Sequence, residues 1–401
     1  MRIATLQIAS RLGNVEGNIK RADELLSKGI SIPDGFGGEG ARVRVEDAKL
    51  DILVLSELAL TGYNFPSLEA IKPYLEPAGQ GPSAAWARKT AKQLGCKVCV
   101  GYPEVEVTNN NGQREEKYYN SLLVLDEQGN TLLNYRKTFL YYTDETWASE
   151  GSAELGFHQL TFPSPGDKSP SSSKAKARVR ARADGEAAIL PPAPATQNKT
   201  GNEIATSFGI CMDINPYRFE APYTAYEFAH RVLDSNSQLV ILSMAWLTLL
   251  SREELDALGN KPELDTFNYW VQRFMPLIRK QMGHARNADA SVDADADAET
   301  ETEKNIIIVF ANRAGEEDGA PSPARYAGTS TIVAVSQRQR GGPAGLGSSG
   351  SSSDDEMARA PPLDVKILCW DMLGATEEGL CFADTAADPR MVFQLVRAGD
   401  R

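Results

Sequence analysis

A chain of 401 residues with 42% hydrophobic and 24% charged residues is long enough for one large globular domain or two of ordinary size. The net charge of -12 argues against nucleic-acid binding, which needs a concentrated basic face on folded structure. Five cysteines are few for a chain of this length and odd in number, which argues against a disulfide framework. We therefore expect a reducing compartment, which is the cytoplasm in the simplest interpretation.

Membrane insertion and secretion are not expected from the apolar segments of the chain. The longest apolar run, LVILSMAWLTLL, is about half as long as the ~20 residues that a membrane-spanning helix needs. In the amino-terminal segment MRIATLQIASRLGN, apolar and polar residues alternate before the sequence becomes polar, and no long apolar region occurs. We therefore predict neither a transmembrane helix nor a signal peptide.

Three segments have the composition of flexible insertions: residues 163–202, 284–304 and 337–361. The first is rich in Pro, Ser, Ala and basic residues, the second in Ala, Asp, Glu and Thr, and the third in Gly and Ser. None holds enough large apolar side chains to offset the entropy cost of ordering. The basic run KAKARVRAR in the first segment is interpreted as a solvated loop, with a nuclear-localisation or anion-binding patch as the alternative.

Between these segments, short runs rich in β-branched residues alternate with stretches whose apolar residues recur every three or four positions. The strand candidates are RIATLQI, DILVLSE, KVCVGYPEV, YNSLLVLDE, TLLNYRK, TSFGICMDI, QLVILSM, NIIIVFANRAG, STIVAVSQ and VKILCW. The helix candidates are NIKRADELLSKG, SAAWARKTAKQLG, APYTAYEFAHRVLDSNS and TFNYWVQRFMPLIRKQ. Interleaved strands and helices predict an α/β fold whose helices cover its sheets, as a single domain over residues 1–398 with the three insertions.

Four of the five cysteines are predicted to be core residues. Cys96 and Cys99 form a C-x-x-C, but this spacing on a strand places the two side chains on opposite faces. No second C-x-x-C or H-x-x-H completes a metal site in the sequence. Cys369 and Cys381 lie on late strands without polar neighbours. We expect no metal and no other cofactor.

Cys211 lies in FGICMDINPYRFE, where an apolar strand runs into a turn-prone segment. The simpler interpretation is a buried cysteine that packs as a small hydrophobe, and the alternative is a nucleophile at a strand end. The histidines are at positions 158, 230 and 284, none of them suited to a Cys-His pair. A nucleophilic thiol would therefore need another base, such as a glutamate whose pKa is raised by burial.

Two charged residues follow strands in the way that active-site residues do. Glu57 interrupts the apolar run LDILVLSELAL, and it is either a desolvated carboxylate or a surface residue at a strand end. Lys137 follows TLLNYR directly and has several aromatic neighbours in sequence. It either snorkels and stacks on an aromatic ring or supplies positive charge to an oxyanion in a cleft.

The order Glu57, Lys137, Cys211 resembles the Glu, Lys and Cys of the nitrilase (carbon-nitrogen hydrolase) superfamily. ELALTGY resembles the glutamate segment, YNSLLVLDEQGN followed by YRK the lysine segment, and GICMD the cysteine segment. NRAGEE and YAGTSTIV resemble two late segments of the family, so the resemblance reaches from residue 1 to about residue 335. It implies an αββα sandwich.

The resemblance also implies roles for individual residues. Cys211 would attack an amide carbonyl, with Glu57 as the general base and acid. Lys137 and the backbone N–H of Met212 would hold the oxyanion. Glu145, eight residues beyond the lysine, would orient Lys137 or the substrate amide. A helix starting in NPYRFEAP, together with the lysine, should lower the pKa of the thiol.

The segments INPYRFEAPYTAYEF and YRKTFLYYTDETW look like those of the fungal protein N-terminal amidase subgroup. This implies conversion of N-terminal Asn and Gln to Asp and Glu with release of ammonia, in an N-degron degradation pathway linked to ubiquitin ligases. The substrate would be a peptide or protein N-terminus, whose α-ammonium needs an acidic partner. Candidates are Asp213 and Asp144, although Asp213 is equally well interpreted as a turn or cap residue.

Tyr63, Tyr142 and Trp246 are candidate pocket walls, because each lies close in sequence to a segment with a predicted catalytic role. Two alternative functions stay open from the sequence. One is an amidase acting on a small free amide, a nitrile or an N-carbamoyl compound, and the other is a catalytically idle binding scaffold. Neither a nucleic acid nor a membrane is expected as a partner, and the nucleus is the alternative to a cytoplasmic location.

Overall fold

The computed structural model describes residues 1–31, 41–110, 113–163, 201–279, 305–319, 322–337 and 365–394. Its strands are β1 (Arg2–Gln7), β2 (Ile30–Ser31), β3 (Arg42–Val43), β4 (Ile52–Leu55), β5 (Glu76–Pro77), β6 (Lys97–Asn110), β7 (Gln113–Leu125), β8 (Thr131–Arg136), β9 (Phe157–Pro163), β10 (Gly201–Ile210), β11 (Leu239–Ser243), β12 (Ile306–Ala311), β13 (Glu316–Glu317), β14 (Ala324–Arg325), β15 (Thr331–Gln337), β16 (Val365–Met372), β17 (Gly379–Asp384) and β18 (Met391–Gln394). Its α-helices are α1 (Val15–Ser27), α2 (Leu68–Ile71), α3 (Pro82–Leu94), α4 (Glu227–Asp234), α5 (Arg252–Leu258) and α6 (Leu264–Gln272).

The first sheet has the strand order β17-β1-β4-β6-β7-β8, with β5 paired to β6. Strands β1, β4 and β6 are parallel to one another, and the outer pairings are antiparallel. Alternate side chains of its central strands form one core with helices α1 and α3. Helix α3 begins with Pro82 in its first turn and ends at Gly95 in the left-handed conformation, the usual residues for those two positions.

The second sheet contains neighbouring strands in the order β18-β16-β15-β12-β11-β10. Strands β10, β11 and β12 are parallel, so their carboxyl ends reach the same edge of the sheet. The strands of the two sheets pack face to face, β1 against β12 and β4 against β11. The predicted αββα sandwich is confirmed.

The contacts divide the chain into two compact units, residues 1–158 with 205–401 and residues 159–204. In the smaller unit, the described residues belong to the neighbouring strands β9 and β10. The predicted insertions lie mostly outside the described residues, at 164–200, 284–304 and 338–361, and their edges at 163, 201–202 and 337 are strand residues. The single domain over 1–398 stays a prediction.

Several predicted elements have different bounds in the structure. The helix predicted over residues 221–237 is α4, which begins only at Glu227. Strand β17 is the late strand on which Cys381 was expected, whereas β18 was not predicted, because its short segment lacks a clear alternating pattern. No helix in the described part of the chain combines the length and apolar character that a membrane span requires.

Candidate active site

Glu57 lies just beyond the carboxyl end of β4, where the chain passes very close to β6. A Cβ atom at Gly101 would lie 2.8 Å from the Glu57 Cα, so the absence of a side chain there permits the approach. Glu57 is fully buried, and its Oε1 accepts hydrogen bonds from Lys137 Nζ and Asn120 Nδ2, both at 2.6 Å. Its Oε2 accepts from the Ala245 N–H at 2.8 Å. Burial raises the pKa of Glu57, which suits a general base.

Lys137 follows β8 directly, and its backbone N–H donates to the Asn120 carbonyl at 2.8 Å, which extends the pairing with β7. Its fully buried Nζ lies 2.6 Å from Glu57 Oε1 and 2.5 Å from Asp144 Oδ2. Burial disfavours the ammonium, but the Asp144 and Glu57 carboxylates outweigh this effect and raise the pKa of Lys137. An ammonium has three donors, so these two contacts leave one N–H for a substrate oxygen.

Asp144 is the second carboxylate that contacts Lys137. It is fully buried, and its Oδ2 also accepts from the Tyr63 hydroxyl at 3.1 Å and the Tyr141 N–H at 3.0 Å. Its Oδ1 accepts from Asn120 Nδ2 at 2.9 Å. Because every one of these donors belongs to the protein, Asp144 positions the lysine and is not a free partner for a substrate ammonium.

The structure does not bring Glu145 into this group. Glu145 follows Asp144 on a short 3₁₀ helix, Asp144–Thr146, and its side chain points outward with 41% of its surface exposed. Its nearest ionic partner is Arg218, at 3.9 Å. Asp144, one residue earlier, contacts Lys137 in place of Glu145, and the alternative that Glu145 orients the substrate amide stays a prediction.

Cys211 is the first residue of a 3₁₀ helix, Cys211–Ile214, that follows β10 directly. Its φ of 39° lies in the left-handed region, which residues other than glycine rarely adopt. The chain therefore makes a sharp elbow at the end of the strand. Burial, with the nearby Glu57 carboxylate, raises the pKa of the thiol well above its usual value, against the opposing effects of Lys137 and the Ala245 N–H. A raised pKa disfavours the thiolate, so a nucleophilic role for this thiol requires a base.

The helix expected directly after the cysteine does not form. Two isolated 3₁₀ turns, Tyr217–Phe219 and Tyr223–Ala225, occupy the segment, each preceded by a proline. Arg218 and Phe219 have positive φ values of 54° and 56°, which are incompatible with a continuous α-helix. The predicted lowering of the thiol pKa by a helix dipole is therefore wrong, because no such dipole lies there and burial dominates.

The Asp213 carboxylate accepts hydrogen bonds from the backbone at the elbow and from the turn after Lys137. Its Oδ2 accepts from the Ile210 N–H at 2.8 Å and the Tyr135 hydroxyl at 2.7 Å. Its Oδ1 accepts from Thr138 N and Oγ1 at 3.0 and 2.7 Å, and from the Phe139 N–H at 2.8 Å. The carboxylate thus ties the cysteine elbow to the turn after Lys137. Of the two interpretations from the sequence, the structure supports the turn residue and not the substrate anchor.

A cavity of about 490 Å³ opens beside Cys211 and Met212. Its aromatic walls include Tyr63, Tyr141, Phe219, Trp246 and Tyr269. Tyr142 does not line the cavity, and 62% of its surface is exposed next to Phe219, with ring centroids 6.0 Å apart. The substrate-binding role of Tyr63 and Trp246 stays a prediction, as does the oxyanion role of the Met212 N–H.

The late NRAGEE segment supports one of these walls. Glu317 is fully buried with Arg313, which donates to its Oε1. Its Oε2 accepts from the Tyr63 N–H at 2.9 Å and from the Tyr326 hydroxyl at 2.6 Å. This buried pair fixes the backbone of Tyr63, and it explains why charged residues occur between two apolar strands.

Three polar residues near the site were missed by the sequence analysis. Asn120 is an amide in an otherwise apolar strand, YNSLLVL, and this interruption was a usable signal. Glu263 lines the cavity but lies in the polar segment NKPELD, where nothing in the sequence separates it from a solvated residue. Tyr269 also lines the cavity, on α6, and its helical spacing indicates only an amphipathic helix.

Comparison with known proteins gives matches consistent with this geometry. The family model for carbon-nitrogen hydrolases matches residues 2–174. The protein N-terminal amidase of Saccharomyces cerevisiae is 31% identical over 268 residues, which cover 66% of this chain and about half (49%) of the yeast protein. The protein N-terminal amidase of Schizosaccharomyces pombe is 29% identical over 350 residues, which cover 84% of this chain and 92% of that protein.

Solved structures share the fold. Crystal structures of an N-terminal amidase with a Gln-Gly peptide and with an Asn-Glu-Ala peptide superpose with a TM-score of 0.61. They are 21% and 22% identical to this chain and cover 99% of both chains. Among the residues that the structure describes, no cluster of His, Cys, Asp and Glu has the arrangement of a metal site. Over residues 2–174 this chain thus matches the carbon-nitrogen hydrolase family, and it shares the sandwich fold of the solved N-terminal amidase.

Proposed function

We propose that this protein hydrolyses the side-chain amide of N-terminal Asn and Gln residues, producing Asp and Glu and releasing ammonia. The observation that carries the proposal is that a thiol lining the cavity lies near a buried carboxylate–ammonium pair. Cys211 lines that cavity, and its ionisation is affected most strongly, after burial, by Glu57 and Lys137. The similarity to two fungal proteins named protein N-terminal amidase supports a peptide N-terminus as the substrate, and solved N-terminal amidase structures of the same fold hold Gln- and Asn-initiated peptides.

The first half of the reaction forms a thioester. The Cys211 sulfur attacks the amide carbonyl carbon while its proton passes to the Glu57 carboxylate. Burial raises the pKa of Glu57, which favours its acceptance of the proton, and the raised pKa of the thiol makes that base necessary. The free N–H of the Lys137 ammonium stabilises the oxyanion. Glu57 then returns the proton to the amide nitrogen, the carbon-nitrogen bond breaks, and ammonia leaves.

The second half regenerates the thiol. Glu57 takes a proton from water as the water oxygen attacks the thioester carbonyl, and Lys137 again stabilises the oxyanion. The carbon-sulfur bond breaks, the sulfur regains the proton from Glu57, and the side chain leaves as a carboxylic acid. Asn120 and the Ala245 N–H keep Glu57 in place throughout, because they donate to its two oxygens.

The cellular setting belongs to the same proposal. We place the protein in the cytoplasm, with the nucleus as the alternative, where its products would enter an N-degron pathway that leads to ubiquitin ligases. All five cysteines are buried and unpaired, which fits a reducing compartment. Immunoprecipitation after expression in fungal cells, compared with the Cys211→Ala variant, would reveal ligase components that bind the protein.

The catalytic proposal is tested with a panel of amides. Wild type and Cys211→Ala are incubated with Asn- and Gln-initiated peptides, their N-acetylated forms and free glutamine, and ammonia is measured. We expect wild type to release ammonia from the free-amine peptides and Cys211→Ala to release none. Turnover of acetylated peptides at the same rate would reject the N-terminal specificity. No turnover of any amide would favour an idle scaffold.

A further inference from the structure

Glu263 lines the cavity that holds Cys211, and one of its carboxyl oxygens has no hydrogen-bond partner. The residue is 8% exposed and lines the cavity directly. Its Oε1 accepts from the Thr266 hydroxyl at 2.7 Å, but its buried Oε2 has no hydrogen-bond partner. Among the described residues that line this cavity, no other carries a buried side-chain oxygen or nitrogen in that condition. A buried, unpaired carboxyl oxygen is costly, so it needs a reason.

The other acids near the cavity do not have this free capacity. Both oxygens of Glu57, Asp144 and Asp213 accept hydrogen bonds from protein groups. Asp265 also lines the cavity, but it is exposed to solvent, where a carboxylate binds a cation weakly. Glu263 is therefore the acid best placed to pair with a cation that enters the cavity.

The local structure holds Glu263 in place without a ligand. Its backbone N–H donates to the Thr329 hydroxyl at 2.9 Å, and it lies at the start of α6. Trp246 and Tyr269 line the same cavity, with ring centroids 5.5 Å apart. Aromatic faces next to a carboxylate are a favourable environment for a primary ammonium.

We propose that Glu263 binds the α-ammonium of the N-terminal Asn or Gln and thereby restricts the enzyme to free N-termini. This inference rests on the proposed amidase function. One N–H of the ammonium donates to the Glu263 carboxylate, and the amide side chain extends to Cys211. An acetylated terminus cannot take this position, because acetylation removes the charge and adds bulk. A free ω-amide without an α-ammonium lacks the anchor.

The test compares two peptides and two variants. The peptides begin either with Gln or with its des-amino analogue, a glutaramoyl group that keeps the side-chain amide and lacks the α-amine. The variants are Glu263→Gln and, as the matched control, Asp265→Asn. For Glu263→Gln we expect the KM of the Gln peptide to rise about 10- to 100-fold, the usual effect of losing a hydrogen bond between charged groups. The kcat/KM for the glutaramoyl peptide should stay near the wild-type value, which also shows that the variant is folded.

The outcomes separate this inference from the proposed function. If Glu263→Gln kept the wild-type KM for the Gln peptide, or lost activity equally on both peptides, the Glu263 assignment would be overturned. If Asp265→Asn produced the selective loss instead, the exposed acid would be the anchor. If the wild type itself released no ammonia from the Gln peptide, the proposed function would fail first.

Discussion

The charged groups near Cys211 differ in their hydrogen bonding from Glu263 in the cavity wall. Lys137 is fully buried and paired with the buried carboxylates Glu57 and Asp144. One oxygen of Glu263 is buried without a partner. The groups with proposed catalytic roles are thus held in position before substrate arrives, whereas the proposed recognition group is complete only when a cation binds.

This difference has consequences for substitutions. In the buried group of Glu57, Lys137 and Asp144, removing one charge leaves its partners buried and uncompensated, so stability and activity should fall together. At Glu263, replacing the carboxyl by an amide removes a charge that no cation of the free protein compensates and can keep the Thr266 contact, so substrate binding should fall without loss of stability. Paired substitutions can test each half of this contrast.

The largest effect is expected for Lys137→Met. Loss of the oxyanion donor should lower kcat by about 10²- to 10³-fold. Two buried carboxylates lose their cation, so the free energy of unfolding should fall by about 3 to 5 kcal/mol. Ammonia release and urea-induced unfolding measure the two quantities.

Arg136→Met is the matched control for Lys137→Met, one residue earlier in the chain. Arg136 pairs with the buried Glu104 at 2.5 Å and with Glu106 at 2.9 Å, away from the lysine cluster. Its loss should also destabilise the fold, but kcat should stay close to that of wild type at a temperature where the variant is folded. Equal losses of kcat in the two variants would mean that instability, and not the oxyanion, explains the effect.

A smaller effect is expected for Asp144→Asn. The substitution keeps the shape and removes the charge that lies 2.5 Å from Lys137 Nζ, so we expect kcat to fall about tenfold or more through misorientation of the ammonium. Glu145→Gln should change both kcat and the free energy of unfolding little, within about 0.5 kcal/mol, because that side chain is exposed. A larger loss in Glu145→Gln than in Asp144→Asn would restore the assignment made from the sequence.

The pH dependence of thiol alkylation tests the electrostatics at Cys211. Burial raises the pKa of this thiol, so the thiolate forms only at high pH. The rate of alkylation by iodoacetamide in the free protein should therefore rise with a midpoint above the value of about 8.5 for an ordinary cysteine. Cys211→Ser supplies the background from the four other cysteines, which are all buried. A midpoint below that of free cysteine would show a preformed thiolate.

The smallest effect is expected for the stability of Glu263→Gln. The carboxyl oxygen Oε2 has no partner in the free protein, so replacing the carboxyl by an amide should leave the free energy of unfolding unchanged or slightly higher. Asp213→Asn is the contrasting variant, since the Asp213 carboxylate accepts five hydrogen bonds from the protein. This substitution should therefore lower the free energy of unfolding. Comparable destabilisation of both variants would mean that Glu263 is structural.

Much of the fold and part of the site could be predicted from sequence because they depend on local patterns. Apolar runs in the sequence predicted β4, β8, β10 and β11. A charged or thiol residue at or just beyond the end of β4, β8 and β10 identified Glu57, Lys137 and Cys211 as candidates. The segment after the cysteine was harder, since its apolar spacing suits a helix while Pro216 and Pro222 and two positive φ values keep it in short turns.

Side-chain partners were the part that sequence could not give. Asp144 and Glu145 are adjacent acids, and only the turn of the 3₁₀ helix decides that the first faces Lys137. Asp213 is next to Met212 in the elbow, but its direction toward Thr138 depends on two distant strands meeting. Glu263 comes to the cavity through the packing of α6, which no local pattern encodes.

The most direct test of the account is to observe the intermediate on Cys211. Wild type and Cys99→Ser are mixed with a Gln-initiated peptide, quenched rapidly with acid, digested and analysed by mass spectrometry. We predict a transient adduct, with the mass of the peptide less ammonia, on the fragment that contains Cys211, and the same adduct in Cys99→Ser. Steady release of ammonia without an adduct at Cys211, or continued release by Cys211→Ser, would contradict the account.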